Sequence, residues 1–176
     1  MRGIEARLRW ERGGALALTY VLKGELSRLR IPPPGPPRKA DDLWQHTCFE
    51  AFISVKGEPA YIEFNFAPSG EWAAYAFRRY REGAPLTGKG PAPRVTMRRA
   101  GDGLELDAVI GPDRLPAIAP LARLKLALSA VIEEEDGTIS YWALKHPPGK
   151  PDFHHPDAFA LEIEFAKGRR VRALIS

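Results

Sequence analysis

Residues 43–77, LWQHTCFEAFISVKGEPAYIEFNFAPSGEWAAYAF, decide the fold, because two long extended segments and the start of a third lie there with few residues between them. In the first segment Leu43, Thr47, Phe49, Ala51, Ile53 and Val55 fall on one face and Trp44, His46, Cys48, Glu50 and Phe52 on the other. This is the alternation of a strand, whose successive side chains point to opposite sides. Lys56-Gly57-Glu58-Pro59 has turn chemistry, after which Ile62, Phe64 and Phe66 alternate with Tyr61, Glu63 and Asn65. Pro68-Ser69-Gly70 turns the chain again, into Glu71 to Phe77. The stretch therefore reads as a β-meander. If the apolar faces stack, His46, Glu50, Glu63 and Asn65 share the opposite face, where charged groups must be wet or paired. A polar, aromatic-flanked sheet face suits a ligand platform.

Working outward, residues 4–10 alternate Ile4, Ala6, Leu8 and Trp10 with Glu5, Arg7 and Arg9, and residues 15–22 supply a hairpin partner after Gly13-Gly14. Residues 24–31 are expected to continue as a short strand. The five prolines of Pro32-Pro33-Pro34-Gly35-Pro36-Pro37 have no backbone N–H to donate, and the run predicts a stiff loop crossing between sheets. Residues 82–93 read as a Gly/Pro-rich loop, and neither Gly88-Lys89-Gly90 nor Gly149-Lys150-Pro151 has the pattern of a phosphate loop. Further strands are predicted at 94–99 and 104–110 around the turn Ala100-Gly101-Asp102-Gly103. Pro112, Pro116 and Pro120 limit any helix there to one turn. Residues 124–132 read as a long core strand, Glu133 to Gly137 as a charged hairpin tip, 138–144 as its return and 159–165 as a closing strand. The basic end, 167–176, either frays or pairs. So many short strands, with no helix of three turns, predict an all-β fold: one antiparallel β-sandwich of the jelly-roll or immunoglobulin-like kind, spanning 1–176 as a single domain.

Composition fits a soluble globular chain: 176 residues, 44% hydrophobic, 27% charged and a formal charge of +4. The arginines are dispersed, and Arg78-Arg79-Tyr80-Arg81 reads as a solvated strand end, so no nucleic-acid partner is expected. One cysteine, Cys48, excludes an internal disulfide framework and suits a reducing compartment. No apolar run approaches the roughly 18 residues of a membrane span, and the N-terminus has no signal-peptide core. A cytoplasmic protein without membrane association is the expectation.

Four candidate chemistries can be weighed from the residues. His146, His154 and His155 bracket a Pro-rich loop with Asp152 and Asp157. That loop suits a metal site, hydrogen bonds at a cleft rim, or simple anchoring to carbonyls. Adjacent His154 and His155 point in opposite directions in extended chain, and the spacing matches no compact ligand set. Cys48 lies two residues from both His46 and Glu50, about 7 Å along a strand and too far for a direct nucleophile–base contact. Glu50 and Glu63 could face one another as a glycosidase pair or simply be held by basic neighbours. Trp44, Trp72, Tyr75 and Trp142, near Glu, Asn, Lys and His, offer the flat faces and hydrogen-bonding groups that a sugar ring needs, although tryptophans also build cores.

LWQHTCFEAFI (43–53), YIEFNFAPSGEWAAYAFRRYREG (61–83) and ISYWALKHPPGKPDFHHPDAFALEI (139–163) resemble the DOMON-like proteins of bacteria, a group related to family 9 carbohydrate-binding modules. The resemblance implies a β-sandwich whose concave sheet holds a ligand, sugar in the modules and haem in the DOMON domains of certain oxidoreductases. For haem the family uses a Met and a His, and Met97 is the only internal methionine here. The resulting expectation is a non-catalytic module for a saccharide or similar polar molecule, with no cofactor and no metal. Trp44, Trp72 and Trp142 would wall the site, His46, Glu50, Glu63, Asn65 and Arg78 would bond hydroxyls, and His146 with His154 would close the rim. The alternatives are a haem electron-transfer domain, a glycan hydrolase using Glu50, or an interaction module docking a partner on an open sheet edge.

Overall fold

The computed structural model describes residues 2–87, 90–117, 122–164 and 170–176. Twelve strands follow in chain order: β1 (Gly3–Trp10), β2 (Leu16–Lys23), β3 (Cys48–Val55), β4 (Tyr61–Phe66), β5 (Trp72–Arg79), β6 (Glu82–Pro85), β7 (Arg94–Ala100), β8 (Gly103–Ile110), β9 (Arg123–Glu133), β10 (Ile139–Ala143), β11 (Leu161–Glu164) and β12 (Arg170–Ile175). They form a five-stranded sheet, β12-β1-β2-β8-β7, and a seven-stranded sheet, β10-β9-β3-β4-β5-β6, with β11 added beside β9. Every pairing within the two sheets is antiparallel. Among the described residues helix occurs only as short 3-10 turns, so no helix there is long and apolar enough to cross a membrane.

The alternation read from the sequence places the core. Ile4, Ala6, Leu8 and Trp10 from β1, with Leu16, Leu18, Tyr20 and Leu22 from β2, face Phe49, Ala51 and Ile53 from β3, Phe64 and Phe66 from β4, and Leu124, Leu126 and Leu128 from β9. Burying such side chains contributes about 1.5–3 kcal/mol each before conformational entropy is counted. Tyr20 crosses this layer, and its hydroxyl donates to the backbone oxygen of Glu50 at 2.7 Å, which satisfies a buried polar group and joins the two sheets.

Three expectations are corrected, and one left open is decided. The first strand of the meander begins at Cys48, because Asp42 adopts a left-handed conformation (φ 60°) and Leu43–Gln45 forms a 3-10 turn. Trp44 and His46 thus stand before the strand and not within it. Residues 24–31 hold a 3-10 turn, Leu26–Arg28, and only a single bridge from Leu29 to Glu134, since Pro32 ends any ladder there. Residues 82–93 are not wholly loop: Arg81 turns with φ 54° and sends Glu82–Pro85 back along β5. The C-terminal residues pair, with Arg170 to Ile175 lying antiparallel to β1. Gly88-Lys89, Pro120, Phe165 of the expected closing strand and 167–169 of the basic end lie outside the described residues.

Candidate functional site

The outer face of the seven-stranded sheet carries the residues left over from the core. Register sets them side by side: Glu50 is opposite Asn65 on β4 and Ser129 on β9, while Glu63 is opposite Phe52 on β3 and Tyr75 on β5. Two carboxyls, an amide and a hydroxyl are deeply placed here, with Glu50 3%, Glu63 5%, Asn65 0% and Ser129 1% exposed. Polar groups occupy these positions because the face is not sealed. Residues 145–160 cross over only part of it.

That crossing segment is tied down by specific bonds. Asp152 accepts from the Tyr80 hydroxyl at 2.7 Å and from Arg81 Nη2 at 2.8 Å. Arg81 N donates to the Tyr61 hydroxyl at 3.1 Å, and that hydroxyl lies 2.9 Å from His154 Nδ1. The other ring nitrogen of His154, Nε2, lies 3.7 Å from Glu63 Oε2. His154 sits edge-on to Phe52 and Phe77, with centroids 5.0 Å away in each case, and Tyr61 stacks on Phe77 at 4.7 Å. Phe52, Tyr61, Ala127, Ala158 and Phe159 make a second small apolar cluster under the segment, with Phe77 and Phe153 packed against it.

Beside this anchor the face opens into a cavity of about 670 Å³. Glu50, Phe52, Glu63 and Val131 line it from the sheet, with Tyr75, Phe77 and Tyr141, while Asp42, Trp44, Arg81, Lys150, Phe153 and His154 come from the surrounding turns and the crossing segment. Trp44 and Tyr141 are about half exposed, large rings that the fold leaves unburied. The volume is of the order that takes a small polar ligand, and the lining mixes aromatic faces with a few convergent polar groups.

The electrostatics are unusual for a sheet surface. Burial, and then the charge of Glu63, push the Glu50 carboxyl up to about 8, against the pull of its hydrogen bond from Ser129 Oγ at 2.9 Å. Burial likewise raises Glu63 to about 7, offset in part by the Asn65 amide, which donates at 2.8 Å, and by Arg81. His154 is pushed down to about 4, by burial first and then by Arg81, so it is neutral at ordinary pH. Tyr75 rises to about 12 through burial and its bond to Asp41. Asn65 Oδ1 is buried without a hydrogen-bond partner, an exception among buried polar atoms.

Of the residues singled out from sequence, Trp44, Glu50, Glu63, Tyr75 and His154 come together in the cavity, and Asn65 lies beneath it, bonded to Glu63. The others do not. Trp72 is 6% exposed in the inter-sheet core, with the Arg114 guanidinium 4.9 Å over its ring. Trp142 packs against the same core and donates from Nε1 to Ser140 Oγ at 3.0 Å. Both have inward parity, Trp72 opposite Phe66 and Trp142 opposite Ala130. Arg78 is exposed and paired with Glu82. His46 is exposed and lies 2.8 Å from Glu133, which also holds Arg30. His146 bonds the Ser176 carbonyl at 2.9 Å. Among the residues that sequence reasoning left out are Asp42, Phe77, Arg81, Tyr141, Lys150 and Phe153. Tyr141 was readable, since its neighbour Trp142 being inward makes it outward.

Among the described residues no three His, Cys, Asp or Glu side chains converge as a metal ligand set. Cys48 is fully buried, and burial pushes its thiol well up, the opposite of an activated nucleophile. The residues also do not fit haem through Met97. It packs on the core from β7 of the five-stranded sheet, whereas His154 lies on the outer face of the other sheet.

No protein-family model matches the chain, and no curated protein is similar to it in sequence. Solved structures share the fold. A Bacteroides uniformis protein proposed to bind carbohydrate superposes with a TM-score of 0.70 at 18% identity, over 93% of this chain and 78% of its own. A family 9 carbohydrate-binding module from Caldicellulosiruptor kristjanssonii, in complex with glucose, superposes with a TM-score of 0.59 at 11% identity, over 94% of this chain and 78% of its own. What this chain shares with both is the antiparallel β-sandwich fold.

Proposed function

We propose that this protein is a non-catalytic, DOMON-like module that binds a saccharide in the cavity on the outer face of its seven-stranded sheet. Trp44 and Tyr141 offer ring faces to the apolar C–H surface of a sugar, and Glu50, Glu63 and His154 Nε2 meet its hydroxyls. The observation that carries the reading is the pairing of half-exposed rings with buried carboxyls in one opening of about 670 Å³. A purely structural sheet face has no reason to hold both. The fold shared with a glucose-bound module supports it.

Intrinsic tryptophan fluorescence, titrated with a panel of mono- and disaccharides, tests this. Saturable changes with at least one sugar are expected, and none across the panel would refute the proposal. A second reading, a glycan hydrolase using Glu50 as a general acid, draws on its raised carboxyl. Including chromogenic glycosides in the same panel separates the two, because turnover abolished by Glu50→Gln is expected only of the hydrolase.

A further inference from the structure

We propose that the ligand carries a protonated amine, so that the cavity takes an amino sugar in preference to a neutral or acidic one. The inference rests on the saccharide reading and narrows it. Three carboxyls face the opening, Asp42, Glu50 and Glu63. Against them stand Arg81, whose guanidinium is already engaged by Asp152 at 2.8 Å, and Lys150. Among the described residues neither Glu50 nor Glu63 forms an ion pair with a lysine or arginine. The partners of Glu50 are the Ser129 hydroxyl and, at a distance, the charge of Glu63. Glu63 has the Asn65 amide, the uncharged ring of His154 and, at a distance, the charge of Arg81.

Buried carboxylates are ordinarily paired, and a site for neutral sugar meets that demand with its own arginine or lysine. Here burial leaves both carboxyls protonated in the free protein, and a cation arriving with the ligand replaces those protons and pairs with the ionised forms. The walls agree with this. Trp44, Tyr75, Phe77, Tyr141 and Phe153 surround the same space, and aromatic faces attract an ammonium through their quadrupoles. Ring stacking alone would serve any sugar. Rings together with acids that can ionise against an arriving ammonium select for positive charge.

The empty site holds protons on both glutamates below neutrality. Binding an ammonium stabilises their ionised forms and so releases protons, which a neutral sugar does not do. Lys150 and Arg81 repel the ammonium, Asp42 attracts it, and His154 stays neutral throughout.

The test is calorimetry at pH 6 with glucosamine, glucose, N-acetylglucosamine and glucuronate, each run in two buffers of different ionisation enthalpy. Glucosamine is expected to bind at least 10-fold more tightly than glucose, with glucuronate weakest, and to release protons. In Glu50→Gln/Glu63→Gln the ratio of glucosamine to glucose affinity should approach one. Equal affinity for glucosamine and glucose, or preference for glucuronate, overturns the inference and leaves the saccharide reading standing. No binding by any of the four overturns the inference and counts against that reading as well.

Discussion

In the Glu50→Gln variant, stability should fall much less as the pH rises from about 5 to about 8, whereas the parent loses much of its margin over that range. The sign follows from proton binding. Folding raises the Glu50 carboxyl from 4.5 to about 8, so between these values the folded state holds a proton that the unfolded state has released. Stability is then fully present below the unfolded value and is lost as pH climbs through the folded one, at about 1.4 kcal/mol per pH unit. Over the whole interval the loss is on the order of 4 kcal/mol, a large share of what holds a domain of this size together. Glutamine keeps an oxygen for Ser129 Oγ and has no proton to lose. It also brings an N–H to the face where Asn65 Oδ1 lacks a donor. Urea unfolding at pH 5 and pH 8 measures the effect. A variant whose pH dependence matched the parent's would show that Glu50 is not the buried acid described here. Glu63, raised to about 7, leaves a smaller slope of the same sign in the variant.

The second large effect concerns affinity. Trp44→Ala and Tyr141→Ala should each weaken sugar binding by about 30-fold, equivalent to roughly 2 kcal/mol, the usual scale for truncating an aromatic anchor. Their combination should take binding beyond detection in the same titration. Fold stability should hardly change, since both rings are about half exposed and neither belongs to the inter-sheet core. Trp142→Phe is the control: that side chain packs on the core side of β10, so affinity should stay within about threefold of the parent. If the control lost affinity while Trp44→Ala kept it, the ring assignment would be reversed.

Much of the sandwich was legible because alternation is a local property. Phe49, Ala51 and Ile53 share a face with one another whatever the rest of the chain does, and the structure puts them with Phe64 and Phe66 as the pattern requires. The same parity placed Glu50, Glu63 and Asn65 together on the other face. What it could not supply was the height of that face above solvent, which depends on residues 145–160 folding back over it. Trp44 entered the site by a different route from the one read. It was assigned to a strand, but the left-handed Asp42 turns it in beside β3.

The tryptophans show the limit most plainly. Residue type alone could not separate Trp44, at the cavity, from Trp72 and Trp142, at the core, and proximity in sequence misled. Arg81 and Lys150 were missed for a related reason: one depends on a positive φ at a hairpin, the other on where a proline-flanked loop crosses. The histidines divided likewise. Only His154 reaches the cavity, because the bonds from Tyr61, Tyr80 and Arg81 fix its segment there.

Mapping of amide and indole chemical shifts in the isotopically labelled chain, as glucosamine and glucose are added, tests the central claim most directly. Saturable shifts should gather at the Trp44 indole, Tyr141, Glu50, Glu63 and residues 150–154, and leave β1, β2 and β8 unmoved. Shifts confined to the five-stranded sheet, or changes that never saturate, would contradict a ligand site on the outer face of the seven-stranded one.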